Sequence, residues 1–294
     1  MTGATLIGVD WGTTNVRAWL MDSNGDALDQ RSSSEGMASL QSDAFAGALE
    51  RLTLAWPDRP VLVCGMAGAR QGWLEAPYIS SPATSEALAA NLTRAPVARE
   101  VWIIPGVAAR DSDGRLSDVM RGEETQAVGI APDGRAKLIC PGTHSKWIRM
   151  EHGAVHDFRT FMTGELHALL GTHSVLRNSL GADARLDDVF REAVRDMLEG
   201  QQLSAALFSV RVRALDNRAT PQECASRLSG LLIGAEIQAG MAQFGRCPVI
   251  LVGTGNLSAL YAGALGEADF DCLEVVDASL AARAGLVRIW NAHP

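Results

Sequence analysis

The chain has 294 residues, 47% of them apolar and 20% charged, enough for a core of ordinary size and too much for a disordered chain; at ~150 residues per domain it has room for two. Asp and Glu outnumber Lys and Arg by 34 to 26, a net charge of −8, and without a basic stripe nucleic acid is not an expected partner. No apolar run approaches the ~20 residues of a membrane span, Met1–Asp10 lacks a basic region ahead of an apolar stretch, and the five cysteines are scattered with no C-x-x-C pair, so a cytoplasmic protein without membrane contact is expected.

In chain order, Thr5–Asp10 reads as a buried strand. Asn15–Asp22 and Ala27–Ser34 read as a hairpin around the turn cluster Ser23-Asn24-Gly25-Asp26. Ser42 is placed to cap a helix running to about Ala55, with Phe45, Leu49 and Leu52 at helical spacing. Val61–Cys64 and Val101–Ile104 read as short buried strands, and Gly122–Gly129 as a short helix. The pattern then restarts. Ala136–Cys140 is a strand, and Ser145–Met150 with Ala154–Phe161 is a hairpin around Gly153. Helical stretches follow at Thr163–Leu170, Leu186–Leu198 and Ser204–Leu215. Thr220-Pro221-Gln222-Glu223 is a capping box that opens a long helix ending near Gly245. Val249–Val252, Ser258–Leu265, Cys272–Val276 and Ala278–Trp290 alternate strand and helix to the end.

In both halves a buried strand runs into Gly-Thr, then an apolar strand, then a glycine-bearing turn, as an internal repeat would. Both halves are therefore expected to be mixed sheets with helices on their faces. Asp10-Trp11-Gly12-Thr13-Thr14-Asn15 ends the first strand. Glycine lets the backbone turn tightly, successive N–H groups in such a turn form an anion nest, and Thr13, Thr14 and Asn15 add donors. An acid just before a phosphate-binding turn calls for a cation, and Mg²⁺ held through one carboxylate resolves the repulsion. The second half offers Gly142-Thr143-His144-Ser145-Lys146 after Pro141, and Gly253-Thr254-Gly255-Asn256 follows a later strand. Neither a Rossmann nor a P-loop signature occurs. His152 and His156 have helical spacing, but Gly153 between them makes this a hairpin and not a metal pair.

Ile7–Thr14 resembles the first phosphate motif of the sugar kinase/Hsp70/actin superfamily. Pro141–Lys146 stands where its second phosphate motif belongs, and Gly253–Asn256 where its adenosine motif belongs. More narrowly, Asp10–Arg17, Gly65-Met66 through Gly72-Trp73, Pro77-Tyr78, Asp118–Gln126, Cys140–Trp147 and Thr160–Leu166 resemble the 2-dehydro-3-deoxygalactonokinase family over nearly the whole chain. One departure is Ala67-Gly68-Ala69, where the family pattern has a Ser near the second glycine; it bears on the shape of the acceptor loop.

The resemblance implies an α/β protein of two ribonuclease-H-like (actin-like ATPase) domains with the nucleotide in a cleft between them. Residues 1–115, joined by the closing helix 278–294, would carry the acceptor, and 116–277 the nucleotide. It implies ATP-dependent phosphorylation of the 6-hydroxyl of a 2-oxo-3-deoxy sugar acid. The expected partners are that acid and ATP with Mg²⁺, and a homodimer is left open. Asp10 would position Mg²⁺, with Gly12–Asn15 and Gly142–Lys146 on the phosphates and Gly253–Asn256 on the adenosine. Asp118 and Glu123 are the candidates for the base, Asp118 being preferred as the acid at the helix entry. Arg17, Arg70 and Arg121 could pair the acceptor carboxylate, with Gly65 and Met66 shaping its loop. Arg70 is preferred, because an Arg fork suits a carboxylate. A kinase for another sugar acid, a phosphohydrolase of the exopolyphosphatase type and an ATP-switched interaction protein are the alternatives.

Overall fold

A computed structural model describes residue 3 and residues 5–130, 134–181, 183–245, 248–270 and 272–294; Met1 and Cys247 lie outside them. The chain divides into two compact units. Met1–Arg135, Ile148–Phe158 and Ala278–Pro294 form the first, and Ala136–Trp147 with Arg159–Asp277 the second. The first unit runs past residue 115 to Arg135.

The first unit opens with β1 (Leu6–Trp11), β2 (Val16–Met21) and β3 (Ala27–Ser33), an antiparallel meander. There follow α1 (Phe45–Leu52), β4 (Val61–Gly65), β5 (Tyr78–Ser80), α2 (Ser85–Ala90), β6 (Thr93–Arg94), β7 (Val101–Ile103), β8 (Gly106–Arg110), β9 (Leu116–Met120) and α3 (Glu123–Ile130). The main sheet has the order β3-β2-β1-β4-β7-β6, with β1, β4 and β7 parallel. Ser42 does not cap α1. It opens a separate 3₁₀ turn, Ser42–Ala44, and the α-helix starts at Phe45 behind Ala44, which has no capping side chain.

A second small sheet, β5-β8-β9, was not legible in the sequence, because its strands are only three to five residues long. It corrects the position of Asp118, which lies in β9 opposite Ala109 and not at a helix entry.

Alternation along β1 divides its side chains. Ile7, Val9 and Trp11 enter a core with Phe45, Leu49, Val61 and Val63. Gly8 and Asp10 face the other way. A Cβ on Gly8 would lie 2.8 Å from Leu286, so the missing side chain admits the closing helix.

The second unit follows the same plan. It contains β10 (Ala136–Cys140) and parts of β11 (Ser145–Glu151) and β12 (Ala154–Phe161). Then come α4 (Thr163–His173), α5 (Asp188–Leu198), α6 (Leu203–Leu215), α7 (Pro221–Phe244), β13 (Val249–Val252), α8 (Gly255–Glu267) and β14 (Cys272–Val276), before the chain returns to the first unit as α9 (Ala278–Asn291). The sheet order is β12-β11-β10-β13-β14, with β10, β13 and β14 parallel. It repeats the order of β3-β2-β1-β4-β7, as the two matching Gly-Thr turns predict. The capping box of α7 forms with both of its bonds. Gly230 on α7 meets the Phe190 carbonyl of α5, 2.5 Å from where a Cβ would stand. Among the described residues no helix is long and apolar enough to cross a membrane.

α3 and α9 touch backbone to backbone. A Cβ on Gly285 would lie 1.8 Å from the Thr125 carbonyl oxygen, and one on Gly129 would lie 2.4 Å from that of Ala281. Gly285→Ala should therefore destabilise the protein by about 1–3 kcal/mol, the usual scale for overpacking. Urea unfolding checks this; an unchanged midpoint would show that the helices separate without loss.

Candidate active site

The site on the first unit is built on one row of the sheet. Arg17 on β2, Asp10 on β1 and Cys64 on β4 are register partners, and cross-strand partners share a face. The Cys64 thiol lies 4.0 Å from Asp10 Oδ1. Burial pushes the Asp10 carboxyl above its ordinary value; the Arg17 charge opposes this, and the charge of Glu123 adds to it. Burial also pushes the Cys64 thiol well up, helped by the charges of Asp10 and Glu124, so it is not a reactive thiolate.

The acids reach Asp10 because two glycines touch. Gly65 ends β4 at φ +86° and Gly122 precedes α3 at φ +110°, a region that favours glycine. A Cβ on Gly122 would lie 3.3 Å from Gly65 Cα, and one on Gly65 would lie 2.6 Å from the Trp11 carbonyl oxygen. Glu123 opens α3, and its charge acts on Asp10. Glu124, fully buried, turns back on the helix start. Its oxygens accept the Gly122 N–H at 2.7 and 2.9 Å and the Thr125 hydroxyl at 3.1 Å. Burial, reinforced by the Glu123 charge, raises its pKa to about 7 against these bonds. Asp118 accepts the N–H of Val119 at 2.8 Å from within β9.

The turn after β1 is closed by the Gly12 N–H on the Asn15 carbonyl, 2.8 Å, leaving Thr13, Thr14 and Asn15 exposed. Met37 and Ala38 donate backbone N–H groups to the Gly12 and Thr13 carbonyls. The loop after β4 is fixed from the core side, where Trp73 stacks on Phe45 at 6.1 Å and meets Trp11 edge-on at 6.1 Å. Arg70, its side chain 79% exposed and 3.4 Å from Glu75, lines a cavity of about 450 Å³ with Met37, Gln41, Ser42 and Gln71. Met66 begins the 3₁₀ turn beneath this loop.

Arg121 is not available as the sequence reading supposed. It is buried, donates to the Ala76 carbonyl at 2.7 Å and stacks over Tyr78 at 4.4 Å. It ties the loop to the strand before α3.

On the second unit Gly142, Thr143 and Asn256 line one cavity of about 590 Å³, with apolar walls that include Leu232, Ile233 and Leu257. Asn256 donates to the Ala184 carbonyl at 2.9 Å. Gly253 donates its N–H to Val276, closing the β13 end. Thr254 precedes α8, and Gly255 starts it at φ +69° with open space where a Cβ would be. His144 Nε2 lies 2.5 Å from Glu165 Oε2, and Lys146 donates to the His144 carbonyl at 3.1 Å. Ser145 is turned inward, its hydroxyl bonded to buried Glu236 at 2.7 Å, so it presents no side-chain donor to a phosphate. The sequence reading missed Glu236 and Glu124 as individual residues. The one signal for Glu236 was a lone acid in the small and apolar run Leu228–Gly240.

Two α/β units with the same sheet order, each with a Gly-Thr turn after its first strand, define the ribonuclease-H-like class of actin-like ATPases and sugar kinases. The activator of 2-hydroxyisocaproyl-CoA dehydratase from Clostridium difficile shares this fold at TM-score 0.53 and 14% identity, covering 98% of this chain and 95% of that one. The family model described as 2-keto-3-deoxy-galactonokinase matches residues 10–289, and the chain belongs to that family of kinases. A Rhizobium meliloti protein named probable 2-dehydro-3-deoxygalactonokinase is 41% identical, covering 95% of this chain and 94% of its own. The Escherichia coli 2-dehydro-3-deoxygalactonokinase is 38% identical over 80% of each chain. A crystal structure from Sinorhizobium meliloti, provisionally named for the same activity, matches at TM-score 0.90 and 39% identity over 98% of both chains.

Glu124 also makes a pH prediction. Its folded pKa of about 7 stands above the ordinary 4.5, so the folded state binds the extra proton. Its contribution is full below pH 4.5 and is lost as pH rises to 7, on the order of 3 kcal/mol for a fully buried group. Glu124→Gln should flatten the fall in stability across that window, read by urea unfolding at several pH values. Part of the fall should remain, because Asp10 titrates in the same sense. An unchanged slope would remove Glu124 as its source.

Proposed function

We propose that the chain transfers the γ-phosphoryl group of ATP to the 6-hydroxyl of 2-keto-3-deoxygalactonate, with the first unit holding the acid and the second the nucleotide. The observation that carries this reading is the pair Asp10, at the end of β1, and Glu123, at the start of α3, close enough for the charge of one to act on the other; the loop that bears Arg70 lines a separate cavity of about 450 Å³ on the same unit. The family names supply the substrate.

Glu123 takes the proton of the 6-hydroxyl as its oxygen bonds to the γ-phosphorus and the bond from phosphorus to the ADP oxygen breaks. Glu123 is preferred to Asp118 because it stands beside Asp10, whereas Asp118 is committed within β9. Arg70 pairs the acceptor carboxylate from its loop, which excludes neutral sugars. Arg17, opposite Asp10, offsets charge on the transferred group. The apolar walls of the second cavity take the purine, while Thr143 and His144 face the phosphates.

The residues present fit Mg²⁺. This ion binds through one or two carboxylates plus phosphate oxygens, and Asp10, a half-buried carboxylate with a second acid acting on it, is such a donor. Bound there, the ion would neutralise phosphate charge. Both substrates are metabolites of the cell interior, which supports a cytoplasmic location.

Incubation with ATP and the acid, followed by ³¹P NMR, should show a new phosphate monoester that depends on the acid. Free phosphate alone would overturn the kinase reading in favour of hydrolysis. Asp10→Asn should lower turnover at least about 100-fold, the scale of a lost preorganised electrostatic contact. Glu123→Gln should cost about 10²–10⁴, the range for a general base, with Asp118→Asn near wild type; the reverse order would return the role to Asp118. Arg70→Ala should raise the KM of the acid, since it removes the charge-assisted fork that pairs a carboxylate, and leave that of ATP unchanged. Equal losses for both substrates would remove Arg70 from the acceptor site.

A further inference from the structure

Glu236 lies midway along α7, 3% exposed. Four donors converge on its two oxygens. Oε1 accepts the Ser145 hydroxyl at 2.7 Å and the Trp147 indole N–H at 2.9 Å. Oε2 accepts the Tyr261 hydroxyl at 2.6 Å and the Thr163 hydroxyl. A carboxylate is acceptor-only, with about four lone-pair sites, so this set suits the ionised form. Burial pushes the carboxyl up while the four donors oppose it. An apolar side chain here would leave all four donors unpaired, so the carboxylate is the group around which these elements are arranged.

The donors show what the charge holds. They come from the start of β11, the start of α4 and the middle of α8. Thr163 and Tyr261 line the 590 Å³ cavity. Ser145 follows the Gly142-Thr143-His144 turn directly. The first residues of α4 grip the same turn from outside: a Cβ on Gly164 would lie 2.4 Å from the Gly142 carbonyl oxygen, the Glu165 N–H bonds the Thr143 carbonyl at 3.0 Å, and the Glu165 carboxylate meets His144. One buried carboxylate thus fastens the turn, the helix that clamps it and the far wall of the cavity.

We propose that Glu236 is a positioning residue for the nucleotide: through Ser145, Trp147, Thr163 and Tyr261 it sets the shape of the cavity and of the turn that meets the phosphates, and so the affinity for ATP. This rests on the reading of the second unit as the nucleotide site. Glu236 itself touches no substrate.

The substitution Glu236→Gln keeps the volume. An indole N–H cannot accept, so the amide oxygen must stay with Trp147 and Ser145, and the amide NH₂ must face Thr163 and Tyr261, whose hydroxyls have to turn round. The disturbance therefore falls on the cavity wall.

Steady-state kinetics of the full chain should show the KM for ATP raised about tenfold, the scale of one lost bond to a charged group, with the KM for the acid unchanged. Tyr261→Phe should raise the KM for ATP as well, and the double variant should fall short of the product of the two, because both act through one bond network. A lowered melting temperature with an unchanged KM for ATP, or strictly multiplicative effects, would make Glu236 structural only and overturn the proposal. If Glu236→Gln does not fold, Tyr261→Phe with Thr163→Val gives the same readout from the donor side. Ala225→Trp, which fills the cavity, separates the two claims. If it leaves the KM for ATP unchanged, the nucleotide reading fails. If it raises that KM while Glu236→Gln does not, only the role of Glu236 fails.

Discussion

The acid end of α3 is where it is because backbones, and not side chains, make the decisive contacts around it. Gly129 and Gly285 let α3 and α9 meet at their peptide groups, and Gly8 admits Leu286 against β1. At the helix start Gly122 rests on Gly65, which rests on the Trp11 carbonyl. A Cβ on Gly65 or Gly122 would crowd the backbone that joins the end of β1 to the start of α3. The glycines therefore do more than permit turns: they set the distance between the end of β1 and the first residue of α3, on which the proposed proton transfer depends.

Close approach has an electrostatic consequence. It withdraws Asp10 and Glu124 from water, and burial is the largest influence on both. A buried carboxyl is expensive unless bonded, and the buried Glu124 and Glu236 and the half-buried Asp10 meet that demand differently. Glu124 takes the Gly122 N–H and the Thr125 hydroxyl. Glu236 takes four side-chain donors. Asp10 has Arg17 across the strand and Glu123 working against it, a balance that a cation would relieve. The two acids satisfied by donors read as parts of the scaffold, and the one still short of positive charge reads as part of the chemistry.

Much of this was legible in the sequence. Strands with unbroken apolar runs, such as Leu6–Val9 and Val249–Val252, announce themselves, and the Thr220–Glu223 box marks the start of α7 because its partners are three residues apart. The small sheet β5-β8-β9 was not legible, because short strands carrying Arg110 and Asp118 lack alternation. Asp118 was misplaced for that reason. Arg121 and Ser145 looked like ligand contacts by their neighbours, but which way a side chain turns depends on partners far along the chain, Ala76 in one case and Glu236 in the other. Residues within a turn could be assigned from their spacing; those whose role is set by a contact 45 or 91 positions away could not.

The proposed reaction puts the acceptor on the first unit and the nucleotide on the second. Hydrogen–deuterium exchange with each ligand alone tests it most directly. A non-hydrolysable ATP analogue should protect 142–146, 163–167 and 253–260, while 2-keto-3-deoxygalactonate should protect 36–42 and 66–72. Protection of 253–260 by the acid, or of 36–42 and 66–72 alone by the nucleotide analogue, would rule out this division of the two substrates.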